Sequence, residues 1–187
     1  MGKNVKKKDA PDEIIVSRRD NSNVHVMAAL AAGKLGVAGP FFIPQGVKLN
    51  GEKYKELLTQ QYFPAMSAAA YKAGLKPGKF RFQQDNAPSH TARDVVSCLP
   101  KYCKPFFKWP ACSCDLSPLD FYVFSEVKRG IEAMESPPKT EADVRTAVAL
   151  ACASLDQSKI DASIENFVKR CKLCLQVNGL RFEHMMK

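Results

Sequence analysis

The sequence lacks an uninterrupted hydrophobic run long enough to cross a membrane. Its least polar stretch, residues 24–43, is broken by a lysine, several glycines and a proline, and is typical of two strands joined by a turn at Gly33–Lys34. Residues 1–8 are polar and basic with no apolar segment behind them, so we expect no secretory leader. Neither a membrane nor a small-molecule cofactor is expected among the partners of this protein.

Acidic residues are scarce relative to basic ones: 19 Asp and Glu stand against 28 Lys and Arg, which gives a formal net charge of +9. This excess favours a polyanionic partner, although scattered basic residues are also typical of solvated helix faces. The short basic segment Lys6–Lys8 is either a nuclear-targeting signal or a solvated terminus, and we expect the protein to be nuclear.

The seven cysteines are an odd number, which favours reduced thiols in an intracellular compartment. The pairs Cys112–Cys114 and Cys171–Cys174 have the close spacing of zinc ligands. The second pair falls within a predicted helix, where Cys171 and Cys174 are typical of small core residues. A zinc-stabilised module is therefore the weakest functional hypothesis.

A first candidate acid, Asp85, stands at the end of a predicted strand. Residues 79–85 alternate apolar and polar side chains, and the turn-forming residues 86–89 end the pattern. In open sheets covered by helices, ligands collect outside the carboxyl ends of strands, so an acid there is placed to hold a cation. The alternative is a turn acid that bonds only within its own loop.

A second candidate acid, Asp120, lies in the first turn of a predicted helix, with thirty-four residues between it and Asp85. Ser117 is the expected N-cap of this helix, and Pro118 its first residue. Apolar residues then recur at helical spacing and form one stripe: Leu119, Val123, Val127, Ile131 and Met134. Asp120 either faces a strand end or only complements the helix dipole.

The two segments together resemble a known family. Residues 83–92 read Gln-Gln-Asp-Asn-Ala-Pro-Ser-His-Thr-Ala, and Trp109-Pro110 precedes residues 113–120, Ser-Cys-Asp-Leu-Ser-Pro-Leu-Asp. In this order the blocks resemble the signature of the catalytic domain of mariner-type transposases in the Tc/mariner superfamily, and the likeness runs from about residue 24 to 184. Cys114 stands where that family usually has proline.

The resemblance implies an α/β fold of the ribonuclease H-like class, a mixed sheet flanked by helices, and cut-and-paste DNA transposition. It also implies two divalent cations, Mg²⁺ or Mn²⁺, held between three carboxylates, with Asp85 and Asp120 matching the second and third. The implied partners are transposon-end DNA and a second copy of the chain in a homodimer.

The first carboxylate of that family lies on the opening central strand of the fold, which we expect this chain to lack. Asp9, Asp12 and Asp20 are available, but none is set within an apolar strand that continues into Glu. We interpret residues 1–22 as a basic polar tail and residues 23–187 as a partial catalytic domain, without the helix-turn-helix domains of complete transposases. Catalysis should then be impaired, and unpaired strand edges should promote association.

Six further residues are candidates for accessory or DNA-contacting roles: Gln84, Asn86, His90, Trp109, Lys128 and Arg129. His90 either orients the site beside Asp85 or satisfies a loop carbonyl. Trp109 either stacks near DNA or belongs to the core. Lys128 and Arg129 lie off the apolar stripe, where they either meet phosphates or form a solvated face.

The rest of the chain predicts alternating strands and helices. Strands are expected at residues 24–31, 37–43 and 104–109, and helices at the caps Asn50, Ser89 and Thr140 and over residues 162–177. Pro64 is expected to interrupt the first helix, and Gly74 to end it.

Two functional hypotheses are thus favoured over a zinc-stabilised module. One is a truncated transposase with impaired metal-dependent DNA cleavage, and the other is a non-catalytic nucleic-acid-binding or interaction module that keeps the fold. Whether the chain is an enzyme stays open at this point.

Overall fold

The structure, a computed structural model, describes residues 13–15, 24–76, 80–105 and 109–186. The predictions for Lys6–Lys8, Asp9, Asp12, Asp20 and residues 106–108 lie outside these ranges. Within them, every helix is too short or too polar to cross a membrane.

A three-stranded antiparallel sheet lies at the centre of the fold, in the order β1 (Glu13–Ile15), β2 (Met27–Gly33) and β3 (Gly36–Ile43). The hairpin between β2 and β3 confirms the two strands and the turn predicted from the sequence. Alternate residues of β2 belong to different hydrophobic clusters, Ala29 to one and Ala28 and Leu30 to the other. Both faces of the sheet are therefore covered, which agrees with the predicted α/β architecture.

The short strand β1 lies within the range we expected to be a polar tail. Glu13 is opposite Ala29 and Ile15 is opposite Met27, so β1 runs antiparallel to β2. Isoleucine favours extended backbone, and β2 offers an edge with which such a segment can pair. β1 has only three described residues, and these pair with only part of the β2 edge.

The first helical layer packs on one face of the sheet. It begins with α1 (Gly51–Leu57), continues through a π-helical turn at Leu58–Tyr62, and ends with α2 (Phe63–Lys72). The side chain of Asn50 accepts a hydrogen bond from Lys53 N, which confirms the predicted cap. Pro64 has no N–H to continue the α-helical pattern, and the predicted interruption is this π-helical turn. Gly74 follows with φ of 72° and ends the helix as predicted.

The first candidate acid, Asp85, lies shortly after one strand of a second, parallel pair. β4 (Arg81–Phe82) pairs with β5 (Lys104–Pro105), and among the described residues no strand joins this pair to the three-stranded sheet. Between them lie α3 (Arg93–Cys98) and a 3₁₀ turn at Leu99–Lys101. The helix predicted from Ser89 begins four residues later than expected, because residues 88–90 form a turn instead.

The second helical layer covers the opposite face of the sheet. A π-helical turn at Leu119–Val123 leads into α4 (Phe124–Glu132), which is followed by α5 (Glu141–Ala153) and α6 (Gln157–Gln176). The predicted stripe is buried or half-buried along its length, with Val123 and Val127 fully covered. Thr140 and Asp143 form the predicted capping box. α6 starts at Gln157, five residues before the expected position, because Asp156 provides its cap.

Candidate metal centre

Asp85 follows β4 by three residues, at the strand exit predicted from the sequence. Its Oδ1 accepts a hydrogen bond from Ala87 N at 2.8 Å and lies 2.6 Å from Nδ1 of His90. Burial by itself would raise the pKa of Asp85, but the hydrogen bonds from His90 and Ala87 outweigh it and hold that pKa below its usual value. Asp85 is therefore ionised at neutral pH, with one carboxylate oxygen fully engaged by the protein.

His90 is held in place from three sides. Its side chain is buried, its ring lies 4.1 Å from the ring of Tyr54, and its carbonyl accepts a hydrogen bond from Nε2 of Gln84 at 2.9 Å. Tyr54 in turn donates its hydroxyl to Oε1 of Gln84 at 3.1 Å. Of the two roles left open by the sequence, these contacts support His90 as a residue that orients Asp85, with Gln84 and Tyr54 behind it.

Asp120 lies in the first turn of the helix that contains α4, as predicted; Pro118 is the first helical residue, and residues Leu119–Val123 are π-helical. Burial raises the pKa of this carboxyl, a hydrogen bond with the side chain of Ser117 lowers it, and the negative charge of Asp85 raises it further. The net direction is upward. The mutual repulsion means that the two acids lie within electrostatic range of each other.

Two neighbouring, half-buried carboxylates are a suitable environment for a divalent cation. Carboxylate oxygens are hard ligands of the kind that Mg²⁺ and Mn²⁺ prefer, and a cation would remove the repulsion that raises the pKa of Asp120. Because Oδ1 of Asp85 already has two N–H partners, Oδ2 is the atom left to bind a cation. Among the described residues, no cluster of three or more His, Cys, Asp or Glu side chains is arranged to hold a metal.

Asn86 and Trp109 connect the loop of Asp85 to the segment that leads to Asp120. Nδ2 of Asn86 donates a hydrogen bond to the carbonyl of Trp109 at 2.6 Å. The indole is buried and stacks on Phe167 of α6, with ring centroids 5.9 Å apart. Trp109 therefore belongs to the core, and a role in stacking near DNA is not supported.

Lys128 and Arg129 lie on the exposed side of α4, away from the buried stripe. Lys128 approaches Glu132 at 3.8 Å, and Arg129 pairs with Glu126. Both pairs are internal to the helix and solvent-exposed, as on a solvated helix face. The predicted DNA contact of these two residues stays a prediction.

The sequence analysis did not identify two residues that support the site. Tyr54 contacts both Gln84, through its hydroxyl, and the ring of His90. Arg170 donates to the carbonyl of Asp115 at 2.6 Å and lies 3.9 Å from the ring of Phe121, so it anchors the segment around Asp120. A buried arginine on α6 leaves no signal in a sequence that is basic throughout.

Cys171 and Cys174 lie within a helix, as predicted, but they are only partly buried against the cluster around Trp109 rather than within the core. Cys112 and Cys114 are exposed on the loop before Asp120. Burial raises the pKa of Cys171 in the helix, which disfavours the thiolate that zinc requires. The zinc hypothesis gains no support from this arrangement.

Comparison with known proteins relates the chain to transposases. No family profile matches it. The Tc1 transposase of Caenorhabditis elegans is 29% identical over 101 residues, which cover 54% of this chain and 36% of that protein. The Tcb1 transposase of Caenorhabditis briggsae is 24% identical over 98 residues, which cover 52% and 35%. The chain thus spans about a third of the length of these relatives.

Solved structures with the same fold come from the Mos1 transposase. A pre-cleavage Mos1 transpososome matches with a TM-score of 0.75 at 22% identity, over 89% of this chain and 48% of that one. The Mos1 catalytic domain with raltegravir and Mn matches with 0.73 at 22% identity, over 92% and 82%. The same domain with Mg gives 0.68 at 22% identity, over 84% and 77%. The chain is thus similar in sequence to Tc1-type transposases over about half of its length, and it has the ribonuclease H-like fold of the Mos1 catalytic domain.

Proposed function

We propose that this chain is the core of a transposase catalytic domain that acts on DNA through divalent cations bound by Asp85 and Asp120. The observation that carries the proposal is the geometry of Asp85, whose carboxylate is fixed by His90 and Ala87 near a half-buried Asp120; burial, and then the charge of Asp85, raise the pKa of Asp120. The Mg and Mn in the Mos1 catalytic-domain structures support the choice of cation. A cation bound at such a site lowers the pKa of an attacking water and stabilises a leaving oxygen in phosphoryl chemistry.

The protein groups have separate tasks in this proposal. Asp85, ionised and held by His90, presents Oδ2 as a permanent anionic ligand. Burial and the charge of Asp85 raise the pKa of Asp120, and a bound cation would favour its ionised form. Gln84 and Tyr54 keep His90 in position and exclude alternative rotamers of the site.

We further propose that catalysis is impaired in this chain. Its described residues bring two carboxylates together rather than the three expected from the resemblance. Removing one anionic ligand weakens cation binding, since hard cations depend on the number and charge of their oxygen ligands. Millimolar rather than micromolar Mn²⁺ should therefore be needed to fill the site.

A plasmid-nicking assay with Mn²⁺, combined with direct Mn²⁺ binding followed by electron paramagnetic resonance, tests both proposals. Asp85→Asn and Asp120→Asn should each abolish specific Mn²⁺ binding and any nicking. Asp94→Asn, at an exposed acid in the first turn of α3, is the matched control and should change neither. Nicking that survives Asp85→Asn, or Mn²⁺ binding unchanged in all three variants, would overturn the metal site.

The second candidate function is a non-catalytic DNA-binding module, and the net charge of +9 favours it. Such a module should bind duplex DNA with a strong salt dependence and without divalent cations. Equal DNA affinity with and without Mn²⁺, together with an absence of Mn²⁺ binding, would favour this candidate over the first. Homodimerisation and nuclear location stay predictions, to be checked by light scattering and by imaging of a tagged chain.

A further inference from the structure

Three separate segments of the chain meet at the guanidinium group of Arg170, on α6. Its Nη1 donates a hydrogen bond to the carbonyl oxygen of Asp115 at 2.6 Å. Its central carbon lies 3.9 Å from the centre of the Phe121 ring. Nη1 also lies 3.6 Å from Oε1 of Glu183, which begins a 3₁₀ turn at Glu183–Met185. One side chain thus joins the loop before α4, the helix that follows it and the segment after α6.

Two of these contacts lie on either side of Asp120 in the sequence. Asp115 precedes it by five residues, and Phe121 follows it directly. Between them, the side chain of Ser117 is buried and hydrogen-bonded to the Asp120 carboxyl, and its carbonyl accepts the N–H of Phe121 at 3.0 Å. Arg170 therefore holds residues 115–121 at both ends, and the candidate metal ligand lies within this short segment.

Burial gives these contacts of Arg170 their energetic weight. The side chain is only 12% exposed, and its Nε is buried without a hydrogen-bond partner among the described residues. A buried charge is costly unless nearby groups compensate it. The carbonyl of Asp115, the face of the Phe121 ring and the carboxylate of Glu183 provide that compensation. Moving these groups apart would leave the cation poorly compensated, so they are expected to stay together.

A small hydrophobic cluster supports the same arrangement. Its buried members are Trp109, Leu116 and Phe182, and Phe182 is fully covered. Leu116 belongs to the segment that carries Asp120, whereas Phe182 directly precedes Glu183. The ring of Phe182 lies 6.0 Å from the central carbon of the Arg170 guanidinium. The segment after α6 thus packs against both Arg170 and the loop that Arg170 holds.

We propose that Arg170 is a positioning residue of the candidate metal centre, which, with Glu183 behind it, holds residues 115–121 so that Asp120 stays near Asp85. This inference rests on the proposed binding of a cation by these two acids. The alternative is that Arg170 stabilises only the fold. Its loss would then lower stability and leave the cation affinity of the folded protein unchanged, so the two roles can be separated by measurement.

Mn²⁺ binding to the intact chain, followed by electron paramagnetic resonance, is the first measurement. Arg170→Met removes the charge but keeps a long unbranched side chain, and it should weaken Mn²⁺ binding about tenfold, as is typical when a group that orients a metal ligand is lost. Arg170→Lys keeps the charge and a donor and should recover part of this affinity. Arg181→Met is the matched control, because Arg181 also approaches Glu183, at 3.7 Å, but is 86% exposed. It should leave Mn²⁺ binding unchanged.

A second control separates positioning from stability. Val144 lies in the buried cluster of the second helical layer, in the first turns of α5. Val144→Ala should destabilise the fold by leaving a cavity. Its folded form should nevertheless bind Mn²⁺ with unchanged affinity.

Hydrogen exchange in the presence of EDTA is the second measurement and needs no cation. Arg170→Met should speed amide exchange in residues 116–121 at least about tenfold more than in α5, because the loss of local contacts promotes local opening. Val144→Ala should show the reverse order, with the larger change in α5. These two variants thus test whether Arg170 acts on the segment of Asp120 in particular.

The proposal is overturned if Arg170→Met changes neither Mn²⁺ affinity nor exchange in residues 116–121. It is also overturned if Val144→Ala or Arg181→Met weakens Mn²⁺ binding as much as Arg170→Met does. Should Arg170→Met fail to fold, Glu183→Gln replaces it and should shift both measurements in the same direction by smaller factors. If Mn²⁺ binding survives both Asp85→Asn and Asp120→Asn, the proposed function fails, and the exchange comparison alone decides whether Arg170 positions the segment.

Discussion

Nδ1 of His90 lies 2.6 Å from Oδ1 of Asp85, within a loop in which the same oxygen also accepts the N–H of Ala87. These two hydrogen bonds fix the orientation of the carboxylate before any cation arrives. The carboxylate of Asp85 is therefore ordered when the protein folds, so a cation that binds later does not have to order it. The loop after β4 therefore fixes the orientation of the Asp85 carboxylate.

Replacing His90 with Phe should remove the hydrogen bond to Asp85 while keeping the aromatic contact with Tyr54. Loss of a buried, charge-assisted hydrogen bond should lower the free energy of unfolding by roughly 1–3 kcal/mol. Urea denaturation measures this change, and Mn²⁺ titration should show weaker binding. His25→Phe, at an exposed histidine, is the control, and equal effects of the two substitutions would contradict the orienting role.

The two acids should respond to neutralisation with opposite signs. The pKa of Asp120 is raised above 3.8 in the folded state, so its ionised form destabilises the fold as the pH rises through that folded-state pKa. Asp120→Asn should therefore raise the free energy of unfolding at pH 7 in the presence of EDTA. The gain should shrink as the pH falls through the folded-state pKa and disappear below 3.8, where Asp120 becomes protonated in both states.

Asp85→Asn should have the opposite effect under the same conditions. The pKa of Asp85 lies below 3.8, so ionised Asp85 stabilises the fold above this pH, and that contribution disappears as the pH falls through the folded-state pKa. Urea denaturation at pH 7 should show destabilisation by Asp85→Asn and stabilisation by Asp120→Asn. If both substitutions changed the free energy of unfolding in the same direction, the opposite pKa shifts of Asp85 and Asp120 would be contradicted.

Gly39 in β3 should not tolerate a side chain. Its φ is 106°, and a Cβ at this position would lie 2.8 Å from the carbonyl oxygen of Ala29, where the β2–β3 register shifts. Gly39→Ala should lower the free energy of unfolding by about 1–3 kcal/mol. Gly33→Ala, in the same hairpin, has open space and no positive φ, so thermal denaturation should show little change.

Gly51 and Ala92 should be energetically coupled. A Cβ on Gly51 would lie 2.5 Å from Cβ of Ala92, where α1 begins next to α3. Gly51→Ala alone should destabilise the protein, because the two backbone segments would have to separate. Adding Ala92→Gly should restore most of the lost stability, and a double-mutant cycle by urea denaturation measures the coupling. Additive effects would contradict the close approach.

Local signals in the sequence predicted much of the framework. The caps at Asn50 and Thr140, the glycine at the end of α2 and the hydrophobic stripe of α4 depend on neighbours within one or two turns, and all are confirmed. The start of α3 was wrong because the segment from Ser89 carries the loop around Asp85 instead. Strand β1 lies in a segment interpreted as a polar tail, because so few apolar residues between charged flanks give no periodic pattern.

The candidate metal centre, too, could be predicted from the sequence only in part. Asp85 and Asp120 were singled out from their motifs, and their metal-binding role stays a prediction. The roles of Tyr54 and Arg170 depend on contacts across 30 and 55 residues, which leave no trace in local sequence. Trp109 and His90 each had two open interpretations, and burial decided between them only once the layers were assembled.

The sequence by itself determined where the helices and the first hairpin form, because caps, turns and hydrophobic periodicity act over a few residues. Only the tertiary structure decided that two acids with thirty-four residues between them lie within electrostatic range and that Trp109 lies in the core. Both features arise from packing between distant segments, where burial and electrostatic interactions depend on which surfaces meet.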